Sequence, residues 1–104
     1  KTGAGTLVLT NSANAYTGST TVSAGTLSLT GTGSIATSSS LINNATFDIS
    51  GTTSGASIIS LSGNSSGSVV LGSKTLTMTN AADTFAGVIS GNTGSGGNLI
   101  ISGG

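Results

Sequence analysis

Residues 6–10 read TLVLT, and the unit returns as TLSLT at 26–30, TFDIS at 46–50 and TLTMT at 75–79. A looser copy, NLIIS, occupies 98–102. Each copy alternates: Thr, apolar, variable, apolar, hydroxyl, with Asn replacing the first Thr in the last. A period of two is that of a strand, so Leu7 and Leu9 share one face and Val8 points the other way. Successive copies start 20, 20, 29 and 23 residues apart. Recurrence of the same residue classes at about 20 residues is what a stack of coils demands, because each turn lies on the one before and repeats its inward-facing set.

The repeat aligns the apolar residues into columns. Leu7, Leu27 and Phe47 head one, continued by Leu76 and Leu99 in the later copies. Leu9, Leu29 and Ile49 head a second, continued by Met78 and Ile101. Val22 and Ile42, at the same 20-residue offset, form a third. Further short strands are expected around Val22, Ile42 and Ile89 and over 58–61 and 69–71, so each turn holds two or three strands. The longer gaps after Ser50 and Thr79 predict extended corners, for example over 51–56. A helix is excluded by the abundance of Thr, Ser, Gly and Asn and the lack of i, i+3, i+4 spacing. A β-sandwich accounts for short strands and frequent turns, but does not require the 20-residue recurrence. The expected fold is all-β: a right-handed parallel β-helix, or solenoid, of about five rungs without caps, spanning residues 1–104 as one segment. The hand follows from the right-handedness of parallel crossovers.

Composition narrows the chemistry. Gly, Ser, Thr and Asn make up 64 of 104 residues, and charged residues only 4%. Lys1, Lys74, Asp48 and Asp83 are the charged side chains, and they cancel; Cys, His, Arg, Glu, Trp and Pro are absent. Disulfides, thiolate metal sites and imidazole bases are therefore excluded. Two lysines make no electrostatic footprint for nucleic acid, and no apolar run is long enough for a membrane-spanning helix. The apolar residues are patterned rather than scattered, which argues against disorder. The first residue is not Met, so the segment reads as an internal slice, or one in-phase unit, of a longer extracellular protein.

Few residues could carry catalysis. Asp48 is the variable residue of TFDIS and points away from the core. Asp83 occupies the slot before Phe85 that Asn14 occupies before Tyr16, where a turn residue bonding its own backbone is expected. Neither has the Arg, His or aromatic platform of a glycosidase pair. Two isolated aspartates cannot supply the Asp-per-turn ligand set of a calcium β-roll. Lys74 reads as a solvated charge at a corner. The run Gly94-Ser95-Gly96-Gly97 lacks the Lys-Ser/Thr ending and the helix of a phosphate loop. Thr columns beside the Leu pairs could form a face for ice or a regular polysaccharide, although Thr is also simply a good strand former. No catalytic, cofactor-binding or metal-binding residue is expected.

One stretch resembles a known family. Gly5-Thr6-Leu7, Asn14-Ala15-Tyr16-Thr17-Gly18, Thr20-Thr21-Val22 and Gly25-Thr26-Leu27 look like the passenger-associated repeat of bacterial autotransporters, which runs Gly-Thr-Leu, Asn-x-aromatic-x-Gly, Thr-rich strand, Gly-Thr-Leu. Asp83, Phe85 and Gly87 repeat the spacing of Asn14, Tyr16 and Gly18, in a stretch resembling the one that often precedes the next repeat. The resemblance implies a right-handed β-helical stalk, exported across the outer membrane and displayed at the cell surface. The expected role is structural or adhesive, without enzyme activity. The alternatives are a filament subunit stacking end to end on copies of itself, or a glycan- or ice-binding face. The expected partners are other turns or copies of the same kind and, second, surface or matrix glycans. Neither nucleic acid nor membrane insertion is expected.

Overall fold

A computed structural model of the chain describes residues 1–12, 14–91 and 97–103. It contains eleven short strands: β1 (Thr6–Leu9), β2 (Thr20–Val22), β3 (Thr26–Gly31), β4 (Leu41–Asn43), β5 (Thr46–Thr52), β6 (Ala56–Ile58), β7 (Leu61–Ser62), β8 (Ser68–Gly72), β9 (Thr75–Met78), β10 (Val88–Gly91) and β11 (Asn98–Ile101). All ladder pairings between them are parallel. Sheet A runs β1-β3-β5-β8-β10, sheet B runs β2-β4-β7, and sheet C runs β6-β9-β11. The first two turns pass from A to B with no strand in C; from β5 onward the chain enters C after A, and each turn returns to A one step further along the stack. Five passes through sheet A make four full turns of a three-sided β-solenoid.

The sheet A register carries the first apolar column through the whole molecule. Leu7 lies opposite Leu27, Leu27 opposite Phe47, Phe47 opposite Val69, and Val69 opposite Ile89. Leu9 opposes Leu29 in the second column, and Leu29, Ile49 and Leu71 are buried in the same core. Inward residues of all three sheets meet there: Val22, Leu41 and Leu61 from B, Ile58, Leu76 and Met78 from C, with Ile35 from the corner between β3 and β4. The alternation in β3 and β5, half-buried then buried, is the strand period read from sequence.

Three expectations change. Leu76 and Leu99 do not continue the Leu7–Leu27–Phe47 column, and Met78 and Ile101 do not continue the Leu9–Leu29–Ile49 column. They belong to sheet C, where Leu76 pairs with Ala56 and Leu99, and Met78 with Ile58 and Ile101. The fourth and fifth motif copies have moved to another side of the solenoid. The 29-residue gap before Thr75 is thus one turn of 22 residues, from Thr46 to Ser68, plus the step from sheet A to sheet C. No extended corner lies at 51–56: Gly51 and Thr52 finish β5, and Ala56 opens β6.

The second change is in sheet B. Thr21 opposes Ile42, and Val22 opposes Asn43, an offset of 21 residues rather than 20. Asn43 and Leu41 therefore face the core and Ile42 faces outward, half-buried. The extra residue sits in the corner: three residues separate Val22 from Thr26, whereas two separate Asn43 from Thr46. A shift of one residue exchanges the faces of a strand, which is why Ile42 loses its core position.

The third concerns the ends. Leu7, at the outer end of its column, is 45% exposed, and Leu99 and Ile101 are exposed on β11. Inward-facing residues in the end strands have a neighbouring turn on one side only.

Candidate functional site

Both aspartates are engaged with serine hydroxyls. The Asp48 carboxylate accepts hydrogen bonds from the Ser50 backbone N–H (2.8 Å) and the Ser50 hydroxyl (2.6 Å), which tie the strand to itself beside its outward face. Asp83 does not bond its own backbone turn as expected; it accepts the Ser60 hydroxyl across the turns at 2.9 Å. Ser60 is buried and in turn accepts the Ala82 N–H at 3.0 Å. Lys74 stands half-buried at the corner between β8 and β9, and its backbone carbonyl accepts the Asn98 N–H. Among the described residues, no group of three or more His, Cys, Asp or Glu comes together. Gly94, Ser95 and Gly96 of the glycine run lie outside the described residues.

The two turn motifs end in different surroundings. Asn14 staples its loop to the next turn, its side-chain amide donating to Asn11 O (2.9 Å) and Ser34 O (3.1 Å). Thr37 returns the contact, its hydroxyl reaching Asn14 O at 3.0 Å and Tyr16 O at 2.9 Å. Tyr16 itself is exposed, as is Gly18. Phe85, by contrast, packs against the core and forms a parallel bridge with Gly63. Its ring seats on glycine: a Cβ on Gly67 would lie 2.6 Å from Phe85 Cε1 and 2.3 Å from Asn43 O, and a Cβ on Gly87 would lie 2.6 Å from Phe85 Cζ. Phe85 thus rests on the preceding turn, whereas Tyr16 belongs to the first turn and has only the following loop against it.

Sequence reasoning missed the buried polar residues that turn the corners. Asn43 donates to Ser68 O at 2.8 Å and accepts the Ala45 N–H at 3.3 Å. Thr52 donates to Ile49 O at 2.8 Å and accepts the Gly55 N–H at 3.0 Å. Ser38 donates to Gly18 O at 2.6 Å and meets the Thr20 hydroxyl at 2.7 Å. Asn43 and Thr52 end their strands and Ser38 lies in the corner before β4, so each side chain bonds backbone groups where the chain bends. No buried side-chain polar atom among the described residues lacks a partner. The Asn43-Asn44 pair at the end of β4 was the available signal.

Two surfaces could receive a ligand. On the outside of sheet A, Thr6, Thr26, Thr46 and Ser68 stack in register, but the neighbouring outward row is Val8, Ser28, Asp48, Val70 and Ser90. Val88 follows Ser68 in the first row, so the outward lattice is a hydroxyl row closed by a valine beside a mixed row. The second surface is a groove of about 310 Å³ lined by Gly31, Thr32, Gly33, Ser34, Ala36 and, across from them, residues 54–57 with Thr75. It opens where the ladder between the second and third turns ends at the Thr53 N–H to Gly31 O bond. Gly31, at φ 58°, turns the chain away from the stack there, and sheet C begins only one turn later with β6. No titratable side chain lines the groove.

On the first surface Asp48 is the one charged residue in the two rows, and it is engaged with Ser50. Asp48→Asn with Asp83→Asn should therefore leave the fold nearly unchanged, because an amide oxygen still accepts the Ser50 and Ser60 bonds. The cost should stay below about 1 kcal/mol per site, and calcium should move the melting temperature of neither protein. A calcium-induced rise of several degrees, read by circular dichroism, would contradict this.

Stacked parallel strands, one apolar column system and neutral, hydroxyl-rich sides define the chain as a parallel β-solenoid. Residues 1–29 match the family model of the passenger-associated-transport-repeat, the repeat of autotransporter passengers. No curated protein and no solved structure gives a match. The matched segment is the first turn together with most of β3. The fold explains why its Gly-Thr-Leu units recur. Thr26 N–H bonds Gly5 O, and Thr46 N–H bonds Gly25 O, so each Gly-Thr corner sits on the corner before it. Gly25 has φ 71°, and a Cβ there would lie 2.2 Å from Gly5 O. Only glycine combines that backbone with that approach.

Proposed function

We propose that the chain is a non-enzymatic structural segment of an exported bacterial surface protein, a length of autotransporter passenger stalk that holds other parts away from the cell or lets cells adhere. The passenger-repeat match over residues 1–29 carries this reading. The physics agrees with it. A solenoid without cysteine needs no oxidative step to form, and its ladder can grow turn by turn as chain is delivered. Its sides expose hydroxyls, amides and glycine, which suits a spacer. Its two aspartates are both engaged with serine hydroxyls, and no histidine, cysteine, arginine or glutamate is present to act with them.

The test is display. The 104 residues are fused between a secretion signal and an autotransporter translocator barrel in a diderm bacterium, and intact cells are treated with protease. The segment is expected at the surface, cleaved from intact cells, and able to increase cell settling or attachment to a glycan-coated surface relative to the barrel alone. Retention in the periplasm in a protease-sensitive form would overturn the stalk reading. Surface display without any change in settling or attachment would remove the adhesive part.

A further inference from the structure

Sheet C has an edge in the interior of the stack. At the level of the second turn, sheet A has β3 and sheet B has β4, and each pairs in register with the strand of the third turn, β5 and β7. Sheet C runs β6-β9-β11, so β6 is its outer strand although the second turn lies over it. That turn passes β6 as a corner, residues 32–40, and not as a strand. The groove lies between the two, with Thr32, Gly33 and Ser34 on one side and Gly55, Ala56 and Ser57 on the other.

The ladder to β9 fixes the direction of the β6 backbone. Thr79 N–H donates to Ile58 O at 2.9 Å, so Ile58 faces β9. Along a strand, successive backbone N–H and C=O pairs point to opposite sides. The Ser57–Thr77 pairing is therefore made through Ala56 and Ile58, and the Ser57 N–H and C=O point the other way, toward the groove that Ser57 lines. Among the described residues, no group bonds either of them. A strand edge with a free donor and acceptor is a template for another strand.

We infer that the groove takes an extended peptide, which adds to β6 as a parallel strand of sheet C. Its backbone accepts the Ser57 N–H and donates to the Ser57 C=O, the strand-addition mode of peptide recognition. The walls select its side chains. Gly33, Gly55 and Ala56 give little side-chain bulk, and no charged residue lines the groove. Ile35, between the lining residues Ser34 and Ala36, turns into the core and is 1% exposed, so inward residues of the added strand find no apolar pocket to fill. A charged side chain would lose water there without gaining a partner. The peptide is thus a short run of small neutral residues, Gly, Ala, Ser and Thr. The length agrees, since β6 has three residues and spans about 10 Å. The inference rests on the fold and is independent of the stalk reading.

The probe is the capped peptide acetyl-Thr-Ala-Thr-Gly-Thr-amide, added at millimolar concentration to the isotope-labelled chain and followed by NMR and amide hydrogen exchange. In the free chain the Ser57 N–H should exchange at least about tenfold faster than the Ile58 N–H, which faces β9. The peptide should slow Ser57 exchange several-fold and shift the resonances of groove residues. Ser57→Pro removes a donor that the β6–β9 ladder does not use, and proline is tolerated on such an edge. It should fold and lose the peptide, whereas Ser57→Ala, which keeps the backbone pair, should bind as the parent does. Where circular dichroism shows that Ser57→Pro does not fold, Ala36→Trp decides instead: it fills the groove from an exposed position and should also lose the peptide. Four results would overturn the proposal. They are equal protection of Ser57 and Ile58 in the free chain, no response to the peptide, and undiminished binding in the folded Ser57→Pro or Ala36→Trp variant. The fourth is a response to maltose in place of the peptide, which would assign the groove to a hydroxyl-bearing ligand.

Discussion

Leu27→Asp is expected to abolish the fold. Leu27 is 2% exposed, on the second pass through sheet A, with Leu7 on one side and Phe47 on the other. A carboxylate there is enclosed by side chains that offer it no donor. The cost of burying an unpaired charge is several kcal/mol or more, comparable to the whole stability of a domain this size, about 5–15 kcal/mol. The expected readout is loss of the cooperative thermal transition and of the β signal in circular dichroism. The matching variant Leu7→Asp sits in the same column at the end of the stack, where the side chain is 45% exposed and reaches water. It should fold. Equal damage from both, or a Leu27→Asp protein that melts as the parent does, would show that the column does not run as described.

Phe47→Ala should be the most damaging of the truncations. Phe47 has no solvent exposure and is the largest side chain in the column, between Leu27 and Val69. Truncating a buried Phe costs about 3–5 kcal/mol, because the cavity collapses only partly. In a solenoid the loss is concentrated, since each turn touches only its neighbours and a weak central turn divides the stack. A fall in melting temperature on the order of 15–25 °C is expected. A fall below about 5 °C would mean that the neighbouring turns close over the gap, and that the column is looser than its burial implies.

Both variants test a feature readable from sequence, the alignment of Leu7, Leu27 and Phe47 at intervals of 20. The alignment was legible because a parallel ladder in constant register copies residue class from one turn to the next. It ceased to be legible at Ser68-Val69-Val70-Leu71. That strand holds the sheet A position of the fourth turn without the Thr-Leu signature, while the signature itself reappears on sheet C at Thr75–Met78. A sequence motif marks strand class and not the side of the solenoid on which the strand lies. Val88-Ile89 continues sheet A with even less of the pattern.

Ile42 and Asn43 make the same point at the scale of one residue. On hydrophobicity alone, Ile42 belongs inside and Asn43 outside. The corner after β4 is one residue shorter than the corner after β2, which turns Asn43 inward; there it bonds Ser68 O and the Ala45 N–H. The functional surfaces follow this pattern. That the flanks would be hydroxyl-rich and sparsely charged was evident from composition. That the second outward row of sheet A would be mixed, and that a groove would open beside Gly31, depended on which turns stack where.

The sequence by itself determined the strand period, the interval of about 20 residues, the parallel stack and the scarcity of charged side chains, two aspartates and two lysines. These are local or compositional properties, carried by alternation and residue type. Tertiary structure alone decided which side each strand joins, which polar residues turn inward at the corners, and that Phe85 is seated while Tyr16 is not. Those depend on corner length and on glycines one turn away, and a change of one residue in a corner exchanges the faces of the strand beyond it.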